Sequence, residues 1–170
     1  MVVTEAPATA SGPPGFAEAC AAEHAGLLRF GYLLCGDVTA AEDLLAEALA
    51  RVYPQWQAGK VLSLGPYARR AMVNSLNGGL RRRLLERRHA ARATGDQRGG
   101  RAFDDALADH DQLRRALLQL PPRQRAAIVL RYFEDLREIE VAAVLGTSVG
   151  TVKASVSRGL DRLRGLIDER

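Results

Sequence analysis

The chain has 170 residues, 47% of them hydrophobic and only 5% aromatic, and a formal net charge of +4. That length and apolar content permit one domain or two small ones with true cores, and no apolar run reaches the roughly 18 residues needed to cross a bilayer. The positive balance favours a polyanionic partner such as nucleic acid, although the preponderance of arginine over lysine also fits a GC-rich coding sequence.

Alanine and leucine abound and no period-two alternation persists anywhere, so the expected fold class is all-α, two small helical domains joined by a flexible linker. Residues 1–15 are rich in Ala, Pro, Gly and Thr without an apolar period and read as a disordered tail. They lack the basic segment followed by an apolar stretch that marks a secretory leader. Residues 16–34 place Phe16, Cys20, Leu27, Leu28, Phe30 and Leu34 at helical spacing, ending near Cys35-Gly36. Cys20 and Cys35 form no CxxC pair. A metal or redox site built on Cys20 and His24, one turn apart, is the alternative to two small core thiols, which are expected to be free in a reducing cytoplasm.

Thr39 followed by Glu42 reads as a capping box for a second helix. Leu44, Leu45, Ala48, Leu49, Val52 and Trp56 recur there with helical period, and Asp43 and Glu47 stand one turn apart on the other side. Like charges so placed cost a few tenths of a kcal/mol, about 0.2 to 0.5, unless a base such as Arg51 meets them. Residues 57–65 read as a loop with Gly59 and Gly65 at its bends, and Pro66 suits the first turn of a third helix. Ala68, Ala71, Met72, Leu76 and Leu80 line one side of that helix. Arg69, Arg70, Asn74, Asn77 and Arg81 occupy the others. Gly78-Gly79 weakens it by about 1 kcal/mol per glycine. Residues 86–105 read as a basic linker. A helical pattern then restarts through Leu107, Leu113, Leu117, Leu118 and Leu120, Pro121-Pro122 breaks it, and residues 123–133 form the next helix.

The last segment is the most informative. Residues 136–145 read as a short helix carrying Ile139, Val141, Ala142 and Leu145. Gly146 fits a left-handed C′ position and Ser148 the N-cap of the final helix. In that helix Val149, Val152, Val156, Leu160, Leu163 and Ile167 form one apolar stripe, with Thr151, Ala154, Arg158 and Arg162 opposite. A short turn between two helices, the second apolar inside and basic outside, is the pattern that lays a helix in the major groove; a helical hairpin that binds nothing is the plain alternative. Groove-reading donors belong near the N-terminal half of the helix, which makes Thr151, Lys153, Ser155 and Arg158 the candidates, with Ser148 at the helix start suited to a phosphate and Arg162 further along the same outer face. Lys153 lies nearer the packed flank and suits a phosphate.

The run Leu120-Pro121-Pro122, Arg125, Leu130-Arg131-Tyr132-Phe133, Leu136, Glu140-Val141-Ala142, Leu145-Gly146, Val149-Gly150-Thr151-Val152-Lys153, Ser157-Arg158, Leu160 and Leu163 resembles the C-terminal DNA-binding region of sigma-70-type sigma factors. The match is nearest to the extracytoplasmic-function (ECF) group and its SigE-like members. Leu28-Arg29-Phe30, Tyr32-Leu33-Leu34, Gly36-Asp37, Ala41-Glu42-Asp43-Leu44, Glu47-Ala48-Leu49 and Trp56 look like the helical pair with which such factors grip core RNA polymerase. The resemblance assigns Asp43, Leu44 and Glu47 to that contact, with Ala46 standing where relatives commonly carry Gln. It assigns the loop and third helix to reading and opening the promoter minus-ten element, with Asn74 and the Arg69-Arg70 pair best matched, Trp56, Lys60 and Ser63 flanking the loop, and Asn77 and Arg81 further along. Residues 16–85 would then be a region-two-like domain, and residues 106–170 a region-four-like domain reading the minus-thirty-five element. The implied partners are core RNA polymerase, promoter DNA and an anti-sigma factor, with no cofactor, no metal and no membrane insertion.

Three other readings stand beside this one. A stand-alone helix-turn-helix regulator acting as a dimer leaves residues 42–83 without a task. A nucleic-acid enzyme lacks a phosphate loop, a metal-ligand cluster or a nucleophile-base arrangement in the sequence. A helical adaptor with a basic surface would need none of the candidate donors.

Overall fold

The computed structural model describes residues 15–76 and 111–168. Asn77, Arg81, the expected linker over 86–105 and nearly all of the expected tail lie outside the described residues. Among the described residues there are seven α-helices and one π-helical turn, with no strand.

The front half is a three-helix unit. Helix α1 (Phe16–Cys35) ends at Gly36, whose φ of 74° is the left-handed geometry that glycine adopts without a Cβ penalty; its N–H donates to the Tyr32 carbonyl. Helix α2 (Val38–Gln57) begins two residues earlier than the Thr39/Glu42 pattern implies. Its N-cap is Asp37, whose Oδ1 accepts the Ala40 N–H at 2.8 Å. The expected capping box is therefore displaced by a better acceptor placed directly after the α1 terminus. Helix α3 (Leu64–Ser75) also starts earlier than expected, so Gly65 sits in its first turn rather than at a bend. A Cβ there would fall 2.7 Å from both Arg69 Nη1 and Glu23 Oε2, so the glycine makes room for those side chains.

The rear half comprises α4 (Asp111–Gln119), α5 (Pro122–Ile128), the π-helical turn Val129–Phe133, α6 (Glu138–Leu145) and α7 (Val149–Asp168). Pro122 occupies the first turn of α5, where its missing N–H costs nothing. The helix expected over 123–133 thus relaxes into a wider turn at its end, closing with Glu134 N–H donating to Val129 O at 3.1 Å. Asp135 follows with φ 50°, a left-handed conformation for a non-glycine residue.

Both halves share one hydrophobic core. Leu27, Phe30, Leu44 and Met72 from the front join Leu117, Val129, Leu130, Val141 and Val152 from the rear, all fully buried or nearly so. A smaller cluster of Val52, Val61 and Leu64, with Phe16, Cys20 and Trp56 against it, anchors the α2–α3 loop. Cys20 and Cys35 are not joined in a disulfide, and burial pushes the Cys20 thiol up, away from the reactive thiolate.

Candidate nucleic-acid interface

The rear-half interface begins with the turn between α6 and α7. Gly146, at φ 62°, donates its N–H to Ala142 O and ends α6. Ser148 Oγ then accepts the Thr151 N–H at 3.2 Å and lies 2.9 Å from Thr151 Oγ1. This cap satisfies one orphan donor at the start of α7, and the chain bends by 99° between the two helices, within the range of DNA-reading helix pairs. Ser148 and Thr151 are consequently bonded to each other as well as exposed.

Helix α7 is held by its inner stripe. Val152 and Leu163 are buried, and Val149, Val156, Leu160 and Leu166 pack against the core. Ile167, expected in that stripe, is exposed, and Leu166 takes its place. Gly159 lets α7 approach α5 closely, since a Cβ there would lie 2.5 Å from Ile128 Cδ1. The outer face presents Thr151, Arg158 and Arg162, all exposed, and neither arginine forms an ion pair with a described residue. Ser155 is half-buried. Lys153 stands on the flank, 3.6 Å from Glu138 Oε2 of α6. Ile139, expected to pack, is 64% exposed on the outer side of α6. Arg137 begins α6: its N–H donates to Glu140 Oε2 at 2.8 Å and its guanidinium reaches the same carboxylate, holding the Glu140 carboxyl below its usual range.

In the front half the candidates divide. Arg70 and Asn74 lie one turn apart on an exposed face of α3, and Lys60 and Ser63 are exposed in the loop before it. Trp56 packs edge-on against Phe16, with ring centroids 5.6 Å apart, so its indole braces the loop. Arg69 instead turns into the molecule, its Nη2 2.5 Å from Glu134 Oε2. On α2, Asp43 and Glu47 are half-buried, and Glu47 Oε1 accepts from Ser75 Oγ at 3.3 Å while pairing with Arg51. Leu44, assigned to the polymerase contact, has 0% exposure; it packs the helix and presents no side-chain surface.

Two residues in this region escaped the sequence reading. Leu62 is 95% exposed, held out because Val61 and Leu64 on either side of it are both buried. Tyr67, on α3, is also exposed, its hydroxyl 3.4 Å from Lys60 O. An apolar residue set between two anchors of a polar loop is the signal that would have found Leu62.

A helix-turn-helix with an exposed basic face, carried by an all-helical scaffold, defines a DNA-binding protein. Residues 110–163 match the family described as Sigma-70, region 4. Over 144 residues the chain is 40% identical to the RNA polymerase sigma-E factor of Streptomyces coelicolor, covering 81% of this chain and 77% of that protein. Over 158 residues it is 30% identical to the ECF RNA polymerase sigma factor SigL of Mycobacterium tuberculosis, covering 86% of each. The fold is similar to that of the sigma factor RpoE from Bartonella quintana, solved in complex with the anti-sigma factor NepR, with a TM-score of 0.68 and 23% identity over 92% of this chain and 98% of that one. The chain belongs to the ECF RNA polymerase sigma factors, which are transcription initiation factors.

Proposed function

We propose that this chain binds core RNA polymerase through the outer face of α2, opens the minus-ten element with the α2–α3 loop and α3, and reads the minus-thirty-five element with α7. The observation that carries the reading is the outer face of α7, where Thr151, Arg158 and Arg162 stand exposed beyond a capped turn, inside the segment matched to sigma region 4. Arg158 suits a guanine edge or the phosphate beside it, a contact worth about 1 to 3 kcal/mol of discrimination when bidentate. Lys153, tethered by Glu138, suits a phosphate. Asp43 and Glu47 offer carboxylates to the polymerase, and Arg70, Asn74, Lys60 and Ser63 offer cations and hydrogen-bonding groups to a displaced strand. Region two over 16–85 and region four over 106–170 remain the proposed domains, with 86–105 between them. Catalysis belongs to the polymerase rather than to this chain, and the working compartment is the cytoplasm. An anti-sigma protein is the proposed regulator, supported by the NepR complex of the structurally similar RpoE.

Run-off transcription with core polymerase on a library of promoter fragments tests the reading. Arg158→Ala should weaken upstream-element selection by roughly tenfold or more. Asn74→Ala should slow strand opening, seen as lost permanganate reactivity at the start site, while leaving duplex binding in place. A wild-type chain that yields no specific transcript from any fragment would end the proposal, as would a chain that ignores polymerase and binds its operator as a dimer.

A further inference from the structure

The inward stripe of α3 ends on a hydroxyl. Leu64, Ala68, Met72 and Ser75 recur at helical spacing and all are buried, the first three apolar and the last polar. Alanine at 75 would be the better helix former and would leave no polar group to desolvate. A serine within a helix ordinarily faces solvent or bonds a carbonyl in the preceding turn of its own helix. Ser75 Oγ instead crosses to α2 and donates to Glu47 Oε1 at 3.3 Å, 28 positions back along the chain. The same oxygen pairs with Arg51, one turn further along α2, whose side chain is exposed. Glu47 Oε2 accepts no hydrogen bond from a described residue. One carboxylate therefore joins a buried hydroxyl of α3 to the outer face of α2.

Apolar packing at Ala68 and Met72 keeps α3 against its neighbours, but burial is non-directional and tolerates a small rotation of the helix about its axis. A hydrogen bond is directional, and one onto a carboxylate is the stronger kind. Asn74, adjacent in sequence, stands exposed about 100° around the axis from Ser75. Turning α3 by about 20° would carry a side-chain tip, roughly 5 to 6 Å from the axis, through about 2 Å. That is several times the roughly 0.5 Å within which a binding group must be held. We propose that Ser75 is a positioning residue for strand opening: through Glu47 it fixes the rotation of α3, and so the direction of Asn74, against the face of α2 that meets polymerase. This role rests on the reading of α3 as the strand-opening helix. Ser75 itself, being buried, touches no nucleic acid.

The test uses holoenzyme assembled with excess full-length chain, so that polymerase binding does not limit the signal. In Ser75→Ala, permanganate reactivity at the start site should appear roughly fivefold to tenfold more slowly. Affinity for the closed promoter duplex, measured by mobility shift in the cold, should stay within about twofold of wild type. The urea midpoint of Ser75→Ala should match or exceed that of wild type, because alanine favours the helix and Glu47 keeps Arg51. Asn74→Ala should show the same split between opening and duplex binding. The double variant should open no more slowly than Asn74→Ala alone, since the direction of a side chain that is absent no longer matters. A wild-type opening rate in Ser75→Ala, a loss of duplex affinity equal to the loss of opening, or a double variant slowed by the product of the two single effects overturns the role of Ser75. Each of those results leaves the Asn74→Ala defect and wild-type initiation in place. A normal opening rate in Asn74→Ala instead removes the reading of α3, and the role of Ser75 with it.

Discussion

Arg125 bonds four backbone carbonyls of described residues. Its Nε donates to Leu117 O at 2.9 Å, and its Nη2 donates to Leu118 O at 2.9 Å and Leu120 O at 3.0 Å. Nη1 donates to Leu34 O at the end of α1. One planar cation thus satisfies carbonyls that two helix termini leave over, which a lysine with a single nitrogen cannot do. Arg125→Met should lower unfolding free energy by about 3 kcal/mol, since several buried acceptors lose a charged donor together. Urea titration would show it as a lower midpoint at unchanged slope. Gly159 supports a second prediction. Ile128→Val should cost about 0.5 to 1.5 kcal/mol, and Gly159→Ala about 1 kcal/mol once strain is set against better helix propensity. The double variant should be more stable than the sum of the two implies, because the new methyl fills the place of Ile128 Cδ1.

At the scale of elements, the short α6 depends on its first turn. Glu140 accepts the Arg137 N–H and pairs with its guanidinium, which holds its carboxyl below the ordinary value of 4.5. A depressed carboxyl stabilises the fold above its unfolded pKa and ceases to do so as pH falls through the folded one. Exchange protection of the Arg137 amide should therefore be full at neutral pH and fall progressively as acid is added below about pH 4.5. Glu140→Gln should flatten that dependence. Elements fixed by their own residues were legible beforehand. Gly146 and Ser148 ended and began their helices as expected, and the α7 stripe was readable through Leu163, because both signals are local. The start of α2 was misplaced because Asp37 and Thr39 are both sound caps and only the path out of Gly36 decides between them. Ile139 was misjudged because a helix of only eight residues gives period too little length to locate its inner face.

Across the whole molecule, the union of the halves left no mark in the sequence. Arg69 and Glu134 are 65 positions apart, and Arg114 and Arg125 reach carbonyls of Gly36 and Leu34, 78 and 91 positions away. A backbone oxygen carries no residue type that a pattern can reveal. The placement of Asn77, Arg81 and the 86–105 linker lies outside the described residues, whereas the exposed face of α7 follows from its own periodicity. Because one apolar core joins both halves, the chain should unfold in one cooperative step. The sole tryptophan, Trp56, reports on the front half by fluorescence, and far-ultraviolet circular dichroism reports on every helix. Their urea transitions should coincide in wild type and separate in Glu134→Arg, where front and rear would melt independently.

The carbonyls of Leu34 and Gly36 bear on dissection of this protein. Both are met by arginines from beyond residue 110, so a fragment stopping at residue 76 exposes the α1 terminus to water and strips Leu118 from Gly36. Truncated pieces are therefore unfaithful stand-ins for the intact subunit, and melting points measured on them will understate how firmly α1 is seated.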